Sequence, residues 1–196
     1  MKSNFLKSAI FFGLIFGAIM ILEFLILNKL NVDGVKNPSL GVIINLLNYM
    51  VFPVIFVLLA VRAYKNKYND GYVSFSEVLR IGAATTVVAA LIFSLFNVAY
   101  NYMFPEFIEQ TINKMRDIAL YQREKMLAEG AAETDVNSIE NIEQYLEGTR
   151  KSMQSFFSVP VTIVMYAIIG IISSIVIGAF VKKDKPVQTE IVNPES

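Results

Sequence analysis

The sequence predicts an all-α integral membrane protein: four transmembrane helices, with an extracytoplasmic antiparallel helical hairpin between the third and the fourth. Three observations carry this. The chain is 55% hydrophobic and only 17% charged, whereas soluble domains carry about a quarter charged residues. Its apolar residues gather into four runs, each long enough for the roughly 20 residues that a bilayer-crossing helix needs. One long polar stretch, between the last two runs, repeats apolar residues at helical spacing.

Composition also limits the chemistry. Seventeen basic residues balance 17 acidic ones, so no overall field favours nucleic acid. The chain has no histidine and no cysteine, which removes imidazole and thiolate catalysis, disulfides and the commonest zinc sites. No metal or cofactor site is legible. Ser74 and Ser76 have no base beside them in sequence to activate a hydroxyl. The chain therefore reads as a non-enzyme.

The first span runs from about Phe5 to Leu27, with Glu23 its only charge after Lys7. It is longer than the roughly 7–15 apolar residues of a signal-peptide core, and no small-x-small cleavage pattern follows, so it reads as a retained anchor. The second span, about Ser39 to Val61, carries no charge, and Pro53 within it predicts a kink. The third, about Ile81 to Phe104, is also uncharged; the fourth, about Phe156 to Val181, stops at "VKKDK". A span without charges must satisfy its own backbone, which selects helix. Lysines and arginines near the span ends set the orientation. With the N-terminus cytoplasmic, the inside holds Lys2, Lys7, Arg62, Lys65, Lys67, Arg80, Lys182, Lys183 and Lys185. The short outside loop then holds only Lys29 and Lys36. Both termini are expected in the cytoplasm.

The soluble stretch, about Pro105 to Ser155, has ten acidic and six basic residues. Pro105 suits a first helical position, and Glu106 and Glu109 fall where the helix dipole favours acids. Ile108, Ile112, Met115, Ala119 and Met126 form a stripe on a helix expected to end near Gly130. After "GAAETDVN", Ile139, Ile142, Leu146, Thr149, Met153 and Phe156 recur at 3,4 spacing. Asn137 with Glu140 offers a cap for this second helix. The two stripes should bury each other, and the second helix should run unbroken into the fourth span. Residues 105–151 then become a candidate surface for a membrane or extracytoplasmic protein partner or a second copy. The residues from Pro186 to Ser196 read as a disordered cytoplasmic tail.

Between the second and third spans, "NDGYVSFSEVLRIG" opens on a turn signal. Ser74 and Glu77 then form a capping box, with Val73 and Val78 placed as a hydrophobic staple. Phe75, Val78 and Leu79 are expected along the membrane interface before the chain turns into the third span. The segment Gly71, Tyr72, Val73, Ser74, Phe75, Glu77, Leu79, Arg80 and Gly82, lying between two spans, resembles a family of small bacterial membrane proteins catalogued as domain of unknown function 4199. The resemblance extends over most of the chain, to its close on "FVKKDKP". It implies a location in the bacterial cytoplasmic membrane, and brings no established activity and no functional residues.

Two patterns inside the spans remain. Ala9, Gly13 and Gly17 fall at four-residue spacing, as do Gly82, Thr86, Ala90 and Ser94, and Gly170, Ser174 and Gly178. Small residues so spaced let helices approach closely, within one chain or between two copies as a homo-oligomer. Glu23 lies about 6 Å along its helix from Leu27. Asn45 and Asn48, then Asn97, Tyr100 and Asn101, then Thr162 and Tyr166 fall at comparable depth, while the opposite halves of the spans are almost purely apolar. A carboxylate inside the membrane is costly to keep. A polar pocket around Glu23 is the candidate site, and a small transporter or ion-pathway subunit the alternative function.

Overall fold

The computed structural model describes residues 4–30, 32, 38–133 and 138–185. Lys2, Lys36, the Asn137 cap and the tail from residue 186 on lie outside them. Four helical stretches are long and apolar enough to cross a membrane. The first is α1, Asn4–Lys29. The second joins α2, Pro38–Leu46, through a π-helical segment, Leu47–Val51, to α3, Phe52–Tyr68. The third is α4, Phe75–Met103, and the fourth is α7, Ser158–Val181. Between them lie α5, Pro105–Ala128, and α6, Ile139–Gln154.

The bundle is built around α4, the most buried of the four. One core joins Val57, Val61 and Tyr64 of α3 to Val78 and Ile81 of α4 and Ile177 of α7. A second lies farther along, where Phe16 stacks on Phe56 at 5.0 Å between centroids, beside Met20, Ala89, Ala90 and Tyr166. The outer faces stay apolar: Phe180 is 86% exposed and Met50 63%. Contiguous apolar surface of this kind is rare on a soluble monomer and is what a lipid-facing helix presents.

Small residues set the distance between helices. A Cβ on Gly13 would sit 2.7 Å from the Thr85 carbonyl oxygen, and one on Gly17 3.1 Å from that of Ala89, so α1 rests directly on the α4 backbone. Gly82 and Gly170 meet where α4 crosses α7. A Cβ on Gly82 would strike the Ser174 hydroxyl, and one on Gly170 would strike the Thr86 hydroxyl and lie 2.8 Å from the Gly82 carbonyl oxygen. The Phe75 ring covers Gly178. Each of these five glycines faces another part of the same chain.

Two local expectations are corrected, and a third, the disturbance at Pro53, is given its geometry. First, Val78 does not lie along an interface, and no turn separates this stretch from the third span. The chain enters α4 as one 29-residue helix, and Val78 is fully buried in the α3–α4–α7 core beside Val73. At about 1.5 Å per residue this helix is about 43 Å long, enough to cross the roughly 30 Å hydrocarbon and reach beyond it. Second, Pro53 is met by the π-helical segment: the Phe52 N–H reaches back to the Leu47 carbonyl. That wider turn eases the clash a proline ring makes with the carbonyl four residues earlier. Third, α6 does not run into α7. Ser155 is extended, with ψ 137°, and its hydroxyl accepts from the Phe157 N–H at 3.1 Å while its carbonyl accepts from Ser158 at 3.1 Å. The serine closes a turn through Phe156 and Phe157, after which α7 begins at Ser158.

The helices α5 and α6 pack through Ile108, Ile112, Ile142 and Leu146, all buried, flanked by Met115, Ala119 and Met153. Ion pairs step in opposite directions along the two helices, Arg150 with Glu109 at 2.8 Å and Arg116 with Glu143 at 2.7 Å, and Arg123 reaches Glu133 in the connection after α5 at 3.7 Å. Only an antiparallel pair gives that order. Met126, Ile139 and Phe156, expected in the shared stripe, are instead exposed, at the ends where the two helices no longer face each other. α5 ends in a Schellman closure, with Gly130 at φ +92° and the Ala131 N–H on the Met126 carbonyl. The cap of α6 is Ser138, whose hydroxyl accepts from the Asn141 N–H at 3.2 Å.

Candidate functional site

Glu23 stands half-buried on α1, facing the π-helical segment. Asn48 of that segment donates through Nδ2 to Glu23 Oε1 at 3.1 Å and to the Ile44 carbonyl at 3.1 Å. Asn45, Tyr49, Phe93 and Tyr166 join them around a cavity of about 200 Å³. Tyr166 is 5% exposed, and its ring lies 6.0 Å from that of Tyr49. An α-helical turn places side chains at fixed angles; the π-helical insertion is what turns Asn48 towards the carboxylate, as such insertions often do at functional sites.

Asn97 and Tyr100 do not join this group. Asn97 borders a separate cavity of about 250 Å³ between α4, α6 and α7, with Asn101 and Thr162, and only Phe93 is common to the two. Tyr100 accepts a hydrogen bond from Asn28 and sits in an aromatic cluster with Phe24, Phe104 and Phe107. Asn101 is 3% exposed and ties α4 to the end of α6, donating to the Met153 carbonyl at 2.8 Å. Equal depth along parallel helices does not bring side chains together, because each also points at its own angle around its axis.

The far halves of the spans are not purely apolar either. Ser8, Thr85, Thr86 and Ser174 are buried there. Their hydroxyls donate to carbonyls, Ser8 to Ala60 at 2.6 Å and Thr85 to Ile81 at 2.8 Å. A hydroxyl closed on a backbone carbonyl satisfies itself without making a polar site.

The α3–α4 loop is held by hydrogen bonds from several elements. Asp70 (φ 53°) and Gly71 (φ 82°) are both left-handed and reverse the chain, with the Gly71 N–H on the Lys65 carbonyl at 2.8 Å. Glu77 Oε2 accepts from the Ser74 N–H at 2.8 Å, and Ser74 Oγ accepts from the Glu77 N–H at 3.3 Å, completing the capping box. Glu77 Oε1 takes the Tyr64 hydroxyl at 2.6 Å, which ties the cap to α3. Val73 exchanges two backbone hydrogen bonds of 2.9 Å with Lys183, an isolated antiparallel bridge to the segment after α7. The Lys183 ammonium lies 5.2 Å from the Tyr72 ring centroid, a cation–π contact. Lys65 adds a bond of 2.9 Å to the Val181 carbonyl. The loop thus fastens α3, α4 and the end of α7 to one another.

Residues 11–183 match the family described as "Protein of unknown function (DUF4199)". The chain belongs to this family. No curated protein and no solved structure matches it. The DUF4199 match takes in both Gly71–Gly82 and Lys183, the two sides of the backbone bridge. Within the motif, Gly71 makes the turn, Val73 the bridge, Ser74 and Glu77 the cap, Phe75 the contact on Gly178, and Gly82 the crossing with Gly170. Tyr64 and Lys183, which complete this DUF4199 loop, carry no local signal in the sequence: their partners are found only once α3 and α7 stand beside α4.

Removing the cap gives a graded expectation. Ser74→Ala should cost about 0.5–2 kcal/mol of stability, the usual range for a lost N-cap. Glu77→Ala should cost more, because it also orphans the Tyr64 hydroxyl and the Ser74 N–H. Thermal unfolding of the detergent-solubilised protein would order the two. A smaller loss for Glu77→Ala would show that the shared carboxylate does not hold the loop.

Proposed function

We propose that this chain is a non-enzymatic multi-pass protein of the bacterial cytoplasmic membrane whose α5–α6 pair stands on the extracytoplasmic side and engages a partner protein or a second copy. The observation that carries the reading is the pair's self-sufficiency. It has its own buried core and its own ion pairs between the helices, which pre-organise its outer surface for docking. The Arg116 guanidinium holds the Glu143 carboxyl below the usual carboxylate range, so this ion pair persists at neutral pH. Tyr121 and Tyr145, both 66% exposed, leave aromatic surface that the pair does not use internally. Such residues are the common anchors of protein interfaces. The side of the membrane follows from the lysines and arginines near the span ends.

Cross-linked co-purification from native membranes tests this. The intact protein is compared with a form lacking residues 105–151 and with Tyr121→Ser/Tyr145→Ser, which leaves the α5–α6 core in place. A partner held by the intact form and lost from both variants is expected. Recovery of the same proteins by all three forms would remove the support for docking.

Glu23 favours a second reading, a small transporter or ion-pathway subunit. Its carboxylate is paired with Asn48 on a π-helical turn and opens on a cavity. Glu23→Gln keeps an oxygen for Asn48 but no charge. Stability should stay within about 0.5 kcal/mol, while ion-dependent growth or flux falls. Unchanged growth and flux in a stable variant would sink this reading.

A further inference from the structure

The α3–α4 loop and the segment after α7 border a cavity of about 320 Å³, and the charged residues of its lining are mostly basic: Arg80, Lys183 and Lys185 against Glu77 alone. Both Glu77 oxygens are occupied, by Tyr64 on one side and by Ser74 on the other. None of the three cations forms an ion pair among the described residues; Lys183 rests on the Tyr72 ring. Asp184, between the two lysines in sequence, does not line the cavity. The neutral groups on its wall, Ser76, Tyr72 and Asn69, are hydrogen-bonding side chains.

Gly71, Tyr72, Val73, Ser74, Phe75, Glu77 and Gly82 of the motif each have a partner inside the fold, but Arg80 is exposed and bonded to none among the described residues. The backbone bridge to Val73 brings Lys183 back over the loop, and so holds close together like charges that repel one another. The depth is also specified. Arg80 directly precedes the buried Ile81, and Lys183 follows Val181, the last residue of α7. The basic groups therefore ring the end of the apolar bundle, at the level of lipid headgroups, whichever side of the membrane that end occupies.

We propose that this cavity is a binding site for one phosphate-bearing anion, held by Arg80, Lys183 and Lys185 at headgroup depth. Arginine offers a planar fork to two phosphate oxygens, and lysine a point charge, which is the usual division of labour at such sites. An acidic phospholipid and a soluble phosphate compound share this chemistry, and experiment separates them.

The test is native mass spectrometry of the full chain released from detergent, with three probes: phosphatidylglycerol, phosphatidylcholine and inorganic phosphate. The variant is Arg80→Gln/Lys183→Gln. Both side chains are exposed and the bridge uses only the Lys183 main chain, so the variant should stay folded, its thermal midpoint lowered only by the loss of the Lys183–Tyr72 cation–π contact. Lys151→Gln, on α6, is the control. The parent and the control are expected to retain phosphatidylglycerol over phosphatidylcholine, and the double variant to lose that preference by about tenfold or more. Retention that persists in excess inorganic phosphate assigns the lipid; a phosphate adduct that displaces the lipid assigns a soluble anion. Equal retention by parent and double variant, or no phosphatidylglycerol or phosphate adduct on the parent, would overturn the proposal.

Discussion

Gly170→Leu is expected to separate α4 from α7 and remove most of the folded protein. A Cβ at this position meets the Thr86 hydroxyl and the Gly82 carbonyl oxygen, the latter at 2.8 Å. Backbone atoms cannot swing aside, and the reverse contact, Gly82 against the Gly170 carbonyl at 2.9 Å, is equally close. Overpacking commonly costs about 1–3 kcal/mol, and leucine adds three more carbons into the same gap. The loss should lie at or beyond the upper end. Gly148 supplies the comparison: nothing lies within 4 Å of its Cβ position, and it sits on the exposed face of α6. Gly148→Ala should be neutral or stabilising by up to about 1 kcal/mol, the helix-propensity difference. Thermal midpoints in detergent would read both. Equal midpoints for the two variants would mean that α4 and α7 do not meet at Gly170.

Leu146→Asp is expected to part α5 from α6 while the four spans stay folded. Leu146 is 2% exposed, among Ile108, Ile112 and Ile142. Truncating a buried leucine costs about 2–5 kcal/mol, and an unpaired carboxylate in its place adds a desolvation penalty. The ion pairs Arg116–Glu143 and Arg150–Glu109 lie at the exposed surface and contribute too little to compensate. Amide exchange across 105–154 should rise towards that of an unfolded segment, with α1, α4 and α7 unchanged. Exchange that stays slow over 105–154 would count against the packing of the two helices through Leu146.

Features set by near neighbours were legible in the sequence. The spans show as uncharged runs, the capping box as Ser74 and Glu77 three residues apart, and the α5 stop as Gly130. The stripes of α5 and α6 named the four residues that form their core. What escaped depends on geometry that a linear pattern does not carry. Glu23, Asn48 and Tyr166 were grouped with Asn97 and Tyr100 by depth alone; rotation about each helix axis sends the last two elsewhere. Ser155 interrupts a 3,4 register that continues to Phe156 on paper, because its hydroxyl finds the Phe157 N–H. Pro53 signals a disturbance, but not that a π-helical turn resolves it and aims Asn48. The pairing of Val73 with Lys183 joins segments far apart in the chain, and neither residue announces it.

Which side of the membrane the α5–α6 pair occupies is decided most directly by single-cysteine labelling. The chain has no cysteine, so Glu124→Cys on α5 and Asn66→Cys near the end of α3 each introduce one thiol at an exposed position. With a membrane-impermeant maleimide on intact spheroplasts, position 124 should label fully and position 66 only after the membrane is opened. Labelling of 66 with protection of 124 would place the pair in the cytoplasm and contradict an extracytoplasmic docking role.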